Sequence, residues 1–306
     1  MSESSAPSPA GADWIRRGTG ATPALGWSFV AEGSLTALAT ARESGETFVA
    51  DADGILCRLD RLGRIAAITR LHNAVRFLAW SDDGHFGVAV CGEGTLHFLN
   101  HVLQSQWQLE LPDPIIAVAM APFGGQVFVA CSDRSNRVYD AAKKRLSQFD
   151  TMRPIAFARF VTTEPLIAAS AEHGLVCLHQ LDGQPVWSDK LWSNVGSLAV
   201  AGDGHLLYLA CQSHGVQVYD GDGRTIGAYV LDGTASRVDV SFDGQRIVAA
   251  TIERKLFWLD ADGEILWSTS TPDDIESVAC DPLGEAIVCG LKCGRIYRLD
   301  WTRKAV

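Results

Sequence analysis

The sequence predicts an all-β protein, a seven-bladed β-propeller whose blades are four-stranded antiparallel sheets of about 40 residues. Three observations support this prediction. Residue types recur in steps of 40 along the chain, the apolar runs are short and rich in Val, Ile, Leu and aromatic residues, and no stretch has the periodicity of a long helix. A small sheet with two apolar faces buries both only between neighbouring sheets, and a closed ring provides that packing.

The repeat is visible in three columns of residues spaced 40 apart. The first column is acidic or amide and comprises Asp60, Asn100, Asp140, Gln180, Asp220, Asp260 and Asp300. The second is mostly glycine, in turn sequences between apolar runs, and comprises Gly84, Gly124, Gly204, Gly244 and Gly284, with Ser44 and Glu164 as exceptions. The third is apolar throughout and comprises Leu38, Leu78, Val118, Ala158, Leu198, Val238 and Val278.

Each repeat contains four predicted strands joined by tight turns. In the sixth, SRVDVSF is followed by a DG turn, RIVAAT, KLFWLD, an ADG turn and EILWST. Seven such repeats occupy residues 25–304, which we predict to form one domain.

The register also predicts how the ring closes. The last repeat has inner strands near Ile275–Cys280, Glu285–Gly290 and Arg295–Asp300 but lacks an outer strand, whereas Leu25–Val30 occupies the outer-strand position before the first repeat. We therefore expect this N-terminal strand to complete the seventh blade. Residues 1–24 are Ser-, Ala- and Pro-rich at their start and are predicted to be a flexible tail. Docking of Trp14–Arg17 on the propeller or on a partner is the alternative.

The repeats resemble those of WD-repeat propellers over essentially all of residues 25–304. The shared pattern is an apolar inner strand, a DG turn, a second strand, and a third strand that ends in Leu-Asp or Tyr-Asp, as at Leu59-Asp60 and Tyr139-Asp140. The dipeptide is never Trp-Asp here, and the Gly-His pair that begins the family's repeats is missing. The hydrogen-bond network that the family builds from those residues is therefore not expected.

The outer strands are similar to those of quinoprotein-type propellers, in which Gly-x-x-x-Trp recurs, as at Gly183–Trp187 and Gly263–Trp267. Trp27, Trp107, Trp187 and Trp267 lie 80 residues apart, and Ala67, Ser147 and Gly227 occupy the places between them. We predict that these indoles pack between blades and have no redox role.

Composition indicates the compartment and excludes some partners. A net charge of −10 disfavours binding to nucleic acid or to an anionic membrane, because both would be repelled. The first residues have no basic and apolar export signal, the chain has no apolar membrane span, and the eight cysteines lack a disulfide-like arrangement. We expect a cytoplasmic protein with reduced thiols.

The residues provide no complete catalytic or metal-binding motif. Cys289 and Cys293 form one short-spaced pair, whereas structural zinc sites need four converging ligands. No nucleophile-elbow motif and no phosphate-binding glycine loop occurs. A quinone dehydrogenase, which the outer strands suggest, would need an export signal and a metal-binding carboxylate site. We therefore expect no catalytic residue, no cofactor and no metal.

The candidate interaction face lies around the mouth of the central channel. Arg159 and Asp239 interrupt an otherwise small-residue column of the innermost strands, and Arg76, Arg237 and Glu276 are in adjacent columns. His72, Arg134, Arg153 and Trp192 are in loops expected on the same face, where aromatic and Arg residues favour binding. Hydrated channel-lining residues that pair with each other are the alternative interpretation.

We expect a non-catalytic protein-interaction scaffold, or a subunit of a larger assembly, whose partner's identity the sequence does not specify. Two alternatives stay open: a propeller that binds a small ligand or glycan, and an enzyme with a site at the central channel. A deep pocket with aromatic residues between blades would favour the first. Loss of activity without loss of stability in Arg159→Ala or Asp239→Ala would favour the second.

Overall fold

The computed structural model describes residues 12–301, which form seven antiparallel sheets arranged as the blades of one propeller. Preceding the ring are helix α1 (Asp13–Arg16) and strand β1 (Thr19–Gly20). The strand bounds in blades 1 to 3 are β3 Leu35–Ala41, β4 Glu46–Asp51, β5 Ile55–Leu59, β6 Ile65–Arg70; β7 Val75–Trp80, β8 Phe86–Cys91, β9 Thr95–Asn100, β10 Ser105–Glu110; β11 Ile115–Met120, β12 Gln126–Cys131, β13 Ser135–Asp140 and β14 Arg145–Asp150.

Blades 4 to 7 follow the same order from the innermost to the outermost strand. Their bounds are β15 Phe157–Phe160, β16 Leu166–Ser170, β17 Val176–Gln180, β18 Pro185–Asp189; β19 Val195–Val200, β20 Leu206–Cys211, β21 Gly215–Asp220, β22 Thr225–Tyr229; β23 Ala235–Val240, β24 Arg246–Thr251, β25 Lys255–Asp260, β26 Ile265–Ser270; and β27 Ile275–Cys280, β28 Ala286–Leu291, β29 Arg295–Asp300 with β2 Ala24–Val30 outermost. The predicted fold class is confirmed.

Burial differs between strands in the way that a ring of packed blades requires. Second strands such as β12 are buried on both faces, and their sequences are continuous apolar runs. Outer strands such as β10 alternate between exposed and half-buried positions, so polar and apolar residues alternate in them. The hydrophobic clusters lie between successive blades.

The acidic column of the repeat stabilises the turn between the third and fourth strands. Asp220 Oδ1 accepts hydrogen bonds from the backbone N–H groups of Asp222 at 3.0 Å and Arg224 at 2.8 Å. The same pair of bonds, to residues two and four positions later, recurs at Asp60, Asn100, Asp140 and Asp260. An amide oxygen accepts these bonds as a carboxylate does, which explains why Asn replaces Asp in blade 2.

Asp220→Ala is expected to lower the free energy of unfolding by about 1–2 kcal/mol, because two turn N–H groups lose their acceptor. Asp220→Asn keeps an acceptor oxygen and should retain most of the stability. Asp222→Ala, in the same turn but with a 72% exposed side chain, is the control. Denaturant unfolding of the three variants tests this role, and equal losses in all of them would contradict it.

The glycine column satisfies a backbone requirement in the turn between the first and second strands. Gly124 has φ of 70°, and a Cβ there would lie 2.7 Å from the Phe86 ring of the preceding blade. The turn therefore needs a residue that tolerates a left-handed conformation and has no side chain.

The tryptophans of the outer strands connect neighbouring blades, as predicted. Trp107 and Trp187 donate their indole N–H groups to the backbone carbonyls of Ala141 and Gly221 in the next blade, both at 2.8 Å. Where the column has no tryptophan, other side chains make the connection. Ser147 donates to the carbonyl of Leu181 at 2.5 Å, and Tyr229 donates to that of Ala261 at 2.7 Å.

Strand β2 closes the ring as predicted. It pairs antiparallel with β29, with Ser28 opposite Tyr297 and Phe29 opposite Ile296. Trp27 belongs to a cluster that joins blade 7 to blade 1, and its indole covers Gly63 there. The first and last strands of the ring are therefore held in one sheet.

The prediction of a flexible tail through residue 24 is wrong for residues 12–24. Trp14 and Ile15 of α1 are buried, the Thr269 hydroxyl donates to the Trp14 carbonyl at 2.7 Å, and β1 pairs with β26 with Thr19 opposite Ser268. The way the ring closes explains this difference. In other blades, the outer-strand tryptophan packs against the turn between the third and fourth strands of the next blade. Blade 7 has no such turn, because β29 and β2 are the two ends of the ring, and the N-terminal segment covers Trp267 in its place. The rest of the predicted tail, residues 1–11, lies outside the described residues.

Within residues 12–301, the structure contains no helix with the length and apolarity needed to cross a membrane. Seven of the cysteines are buried with free thiols, and Cys293 is exposed.

Candidate functional site: the loop face and the central channel

The two faces of the propeller carry different connections. In every antiparallel blade, the loop entering the first strand and the loop between the second and third strands lie at the same end. We call this end the loop face; in the described chain it includes segments 71–74, 132–134, 151–154, 190–194, 230–234 and 252–254. The opposite face carries the glycine turns and the acidic-column turns.

The nine predicted site residues lie in three separate parts of the structure: the channel mouth, a deeper part of the channel, and the loops of the loop face. Arg76, Arg237 and Glu276 line the mouth of the channel on the loop face, around a cavity of about 630 Å³. Arg159 and Asp239 line a second cavity of about 120 Å³, deeper in the channel and toward the opposite face. His72, Arg134, Arg153 and Trp192 lie in loops of the loop face, outside both cavities. The predicted single interaction surface is therefore two channel sites and a set of loops.

At the channel mouth, Arg237 is extensively bonded. Its guanidinium donates to the Glu276 carbonyl at 2.7 Å, to the Glu276 carboxylate at 3.4 Å and to the Ser236 carbonyl at 3.0 Å. Arg76 lies over the ring of Phe77, with 5.3 Å between its guanidinium carbon and the ring centroid. Arg237 and Glu276 thus neutralise each other, as the alternative interpretation predicted for channel-lining residues.

The inner channel site comprises Arg42, Asp82, Arg159 and Asp239, from four different blades. Asp239 uses both carboxylate oxygens: Oδ1 lies 3.4 Å from Nη2 of Arg42, and Oδ2 accepts the buried N–H of Cys280 at 2.8 Å. Among residues 12–301, Arg159 donates only to the carbonyl of Ala158, at 3.2 Å. Arg159 borders the cavities on both sides, so it lies between the channel mouth and the inner site.

Burial changes the acidity of two groups in the inner channel site. It raises the pKa of Asp82 to about 6, and the nearby Arg42 charge only partly opposes this effect. Burial also lowers the pKa of the Arg159 guanidinium. The Arg159 side chain is exposed to the channel, but the surrounding blades leave its guanidinium less hydrated than it would be on the outer surface.

On the loop face, large apolar side chains are exposed in the loops that enter three successive blades, 4, 5 and 6. The exposed fractions are 83% for Met152, 72% for Trp192 and 86% for Val230. The Lys190 Nζ lies 4.0 Å from the centroid of the Trp192 ring, a cation–π contact. We call Met152, Arg153, Lys190, Trp192 and Val230 the docking arc.

The cations of the loop face differ in whether they have an ion-pair partner. No salt bridge in the described part of the chain includes Arg134, Arg153 or Lys190. By contrast, Arg254 pairs with Asp274 at 2.7 Å, and Lys255 pairs with Asp232. Arg153 and Lys190 are thus without an ion-pair partner in the described chain, close to the exposed side chains of Met152 and Trp192.

His72 lies apart from the docking arc. It lines a groove of about 410 Å³ between blades 1 and 2, together with His97. Burial lowers the pKa of His97, and the neighbouring His72 adds to the effect.

Sequence reasoning missed Arg42, Asp82, Met152, Lys190 and Val230. Arg42 and Asp82 follow their strands, in a repeat column that contains Pro122, Thr162, Gly202, Phe242 and Pro282 elsewhere. A charge in only two of seven repeats was a signal that could have identified them.

Within residues 12–301, no group of three or more His, Cys, Asp or Glu side chains is arranged to hold a metal ion. Cys289 and Cys293 differ in environment, because the first is buried and the second exposed. Burial raises the pKa of Cys289 to about 12, so its thiol stays protonated and is a poor nucleophile and metal ligand.

Comparison with protein-family models gives no match for this chain, and no curated protein matches its sequence.

Proposed function

We propose that this propeller is a non-catalytic scaffold, or a subunit of a larger assembly, that binds a protein partner on its loop face through the docking arc. One observation carries the proposal. Exposed Met152, Trp192 and Val230 lie in the entry loops of three successive blades, and Arg153 and Lys190 beside them have no ion-pair partner in the described chain. Trp and Arg are the residues most enriched where binding energy concentrates in protein interfaces.

The fold supports this role through rigidity. The docking-arc loops are short connections between strands that are paired in closed blades, and the blades are bonded to each other through side chains such as Trp187 and Tyr229. A partner that docks on preordered loops loses less conformational entropy than one that must order them. The chemistry that fits is a protein segment with apolar side chains flanked by carboxylates.

We also propose that the chain is related to the WD-repeat or the quinoprotein-type propellers. The Leu-Asp and Tyr-Asp ends of the third strands favour a WD-repeat-like propeller, and the alternating tryptophans favour a quinoprotein-like one. The turn bonds of Asp220 and the interblade bonds of Trp187 give both features a structural role, so neither requires a catalytic site. This supports a scaffold over an enzyme.

The test is affinity purification of three tagged proteins from the native host: the wild type, a Trp192→Ala/Arg153→Ala variant and a Phe123→Ala control. Phe123 is 67% exposed but lies in a glycine turn on the opposite face. We expect a stoichiometric protein partner with the wild type and the control, and a loss of at least about tenfold with the docking-arc variant. No stoichiometric partner, or equal recovery with all three proteins, would contradict the proposal.

A further inference from the structure

The inner channel site has an unusual residue composition for its position. Five of the seven repeats place alanine at the corresponding position of the innermost strand: Ala39, Ala79, Ala119, Ala199 and Ala279. Blade 4 places Arg159 there, and blade 6 places Asp239. The small residues leave the cavity of about 120 Å³ into which the charged side chains extend.

Part of the hydrogen-bonding capacity of the Arg159 guanidinium is left unused among the described residues, although Asp82 and Asp239 line the same cavity. The Arg159 guanidinium carries several N–H donors but has one acceptor among the described residues, the Ala158 carbonyl, and it is in no salt bridge there. Asp239 is already bonded to Arg42 and Cys280. Thr40 and Thr162 add hydroxyl groups to the lining.

We propose that the inner channel site binds a small oxyanion, such as a carboxylate or a sulfate-like group, between Arg159 and Arg42. A planar guanidinium binds two oxygens of such an anion at once, and the reduced solvation of Arg159 between the blades strengthens the interaction relative to bulk water. The cavity volume fits a ligand of a few non-hydrogen atoms. The site is distinct from the docking arc and does not depend on the proposed protein partner.

Asp82 makes the anion affinity depend on pH. The groups that act on its charge are Arg42, Glu43, Asp83 and Asp239, and Asp82 in turn acts on Arg159. Its pKa is raised to about 6, so lowering the pH through this value neutralises the carboxylate. Loss of a negative charge beside the cavity removes repulsion, and the anion therefore binds more tightly at the lower pH.

The test uses sulfate and formate, which both stay ionised between about pH 5 and about pH 8. Binding is measured by titration calorimetry and by the rise in melting temperature with anion concentration. We expect at least one of the two anions to bind the wild type with a dissociation constant on the order of 1 mM or lower. The preferred anion shows whether a planar carboxylate or a tetrahedral group fits the site. Binding of neither anion would overturn the proposal.

Arg159→Ala is the decisive variant, because it restores the residue found in five other repeats and should fold. We expect it to weaken binding at least about tenfold, whereas Arg145→Gln, an exposed substitution on an outer strand, should leave binding unchanged. Arg159→Lys keeps the charge but not the paired geometry and should be intermediate. Unchanged binding in Arg159→Ala and Arg159→Lys would overturn the proposal.

The pH dependence is an independent measurement. Wild-type affinity for the anion should be several-fold higher at about pH 5 than at about pH 7.5, and Asp82→Asn should abolish that difference. The same pH dependence in Asp82→Asn and in the wild type would contradict the role assigned to Asp82.

Discussion

Trp267→Ala is expected to lower the free energy of unfolding by about 3–5 kcal/mol, among the largest effects of any single substitution in the chain. The side chain is fully buried and lies opposite Trp258 in the neighbouring strand. It also contacts Trp301 edge-on, with ring centroids 5.6 Å apart, and Gly18 of the N-terminal segment covers it. Truncation would leave a cavity between blades 6 and 7, where the N-terminal segment docks.

Equilibrium denaturation monitored by circular dichroism measures this effect. Trp192→Ala is the matched control, because it removes the same side chain from a position where the side chain is largely exposed. Its expected cost is below about 0.5 kcal/mol. Similar losses for both variants would show that Trp267 is not buried between blades 6 and 7.

Removal of the closing strand is the second prediction with a large effect. A chain that begins at Ala31 lacks α1, β1 and β2, so blade 7 keeps three strands and blade 1 loses its contact with Trp27. We expect it to lose more than about 5 kcal/mol, the lower end of the whole stability of a typical domain. It should therefore show no cooperative thermal transition.

Two shorter truncations are the controls for this experiment. A chain that begins at Ala12 keeps α1, β1 and β2 and is the reference for the other truncations. A chain that begins at Ala21 keeps β2 but uncovers Trp267, so its loss should approach that of Trp267→Ala. A cooperative, wild-type-like transition in the chain that begins at Ala31 would contradict closure by β2.

The sequence predicts the ring well because every blade has the same turns, and each turn requires the same residue types. Asp220 and its equivalents accept turn N–H groups, and Gly124 has a positive φ at a close approach between blades. These requirements are local, so they leave a column in every repeat. The position of Leu25–Val30 on the 40-residue grid predicts the closure for the same reason.

What the sequence does not predict is specific to single blades. The docked N-terminal segment consists of one helical turn and a two-residue strand, which are too short for a recognisable periodicity. Gly227 stands in the tryptophan column of blade 5, and Tyr229, two positions later, donates to the Ala261 carbonyl instead, a change that a 40-residue column does not reveal.

The candidate sites were only partly predictable from the sequence. Side chains from different blades come together only in the closed ring, so their neighbours cannot be identified from one repeat. Arg159 and Asp239 stand out from an alanine column, but their meeting with Arg42 and Asp82 requires four blades in place. The docking arc could not be predicted for the same reason, because the fold decides which cations lie next to a carboxylate. Arg254 has Asp274 beside it in the folded chain, whereas Arg153 has no such partner among the described residues.

The proposed scaffold role is tested most directly by photo-crosslinking from the docking arc. A photoreactive phenylalanine analogue is introduced in place of Trp192 in one protein and in place of Phe123, on the opposite face, in another. Both positions are exposed aromatics, so they differ in face and not in accessibility. We expect irradiation in the native host to give one discrete crosslinked protein from position 192 and none from position 123. Equal crosslinking from both positions, or a discrete product from position 123 alone, would contradict a partner-binding loop face.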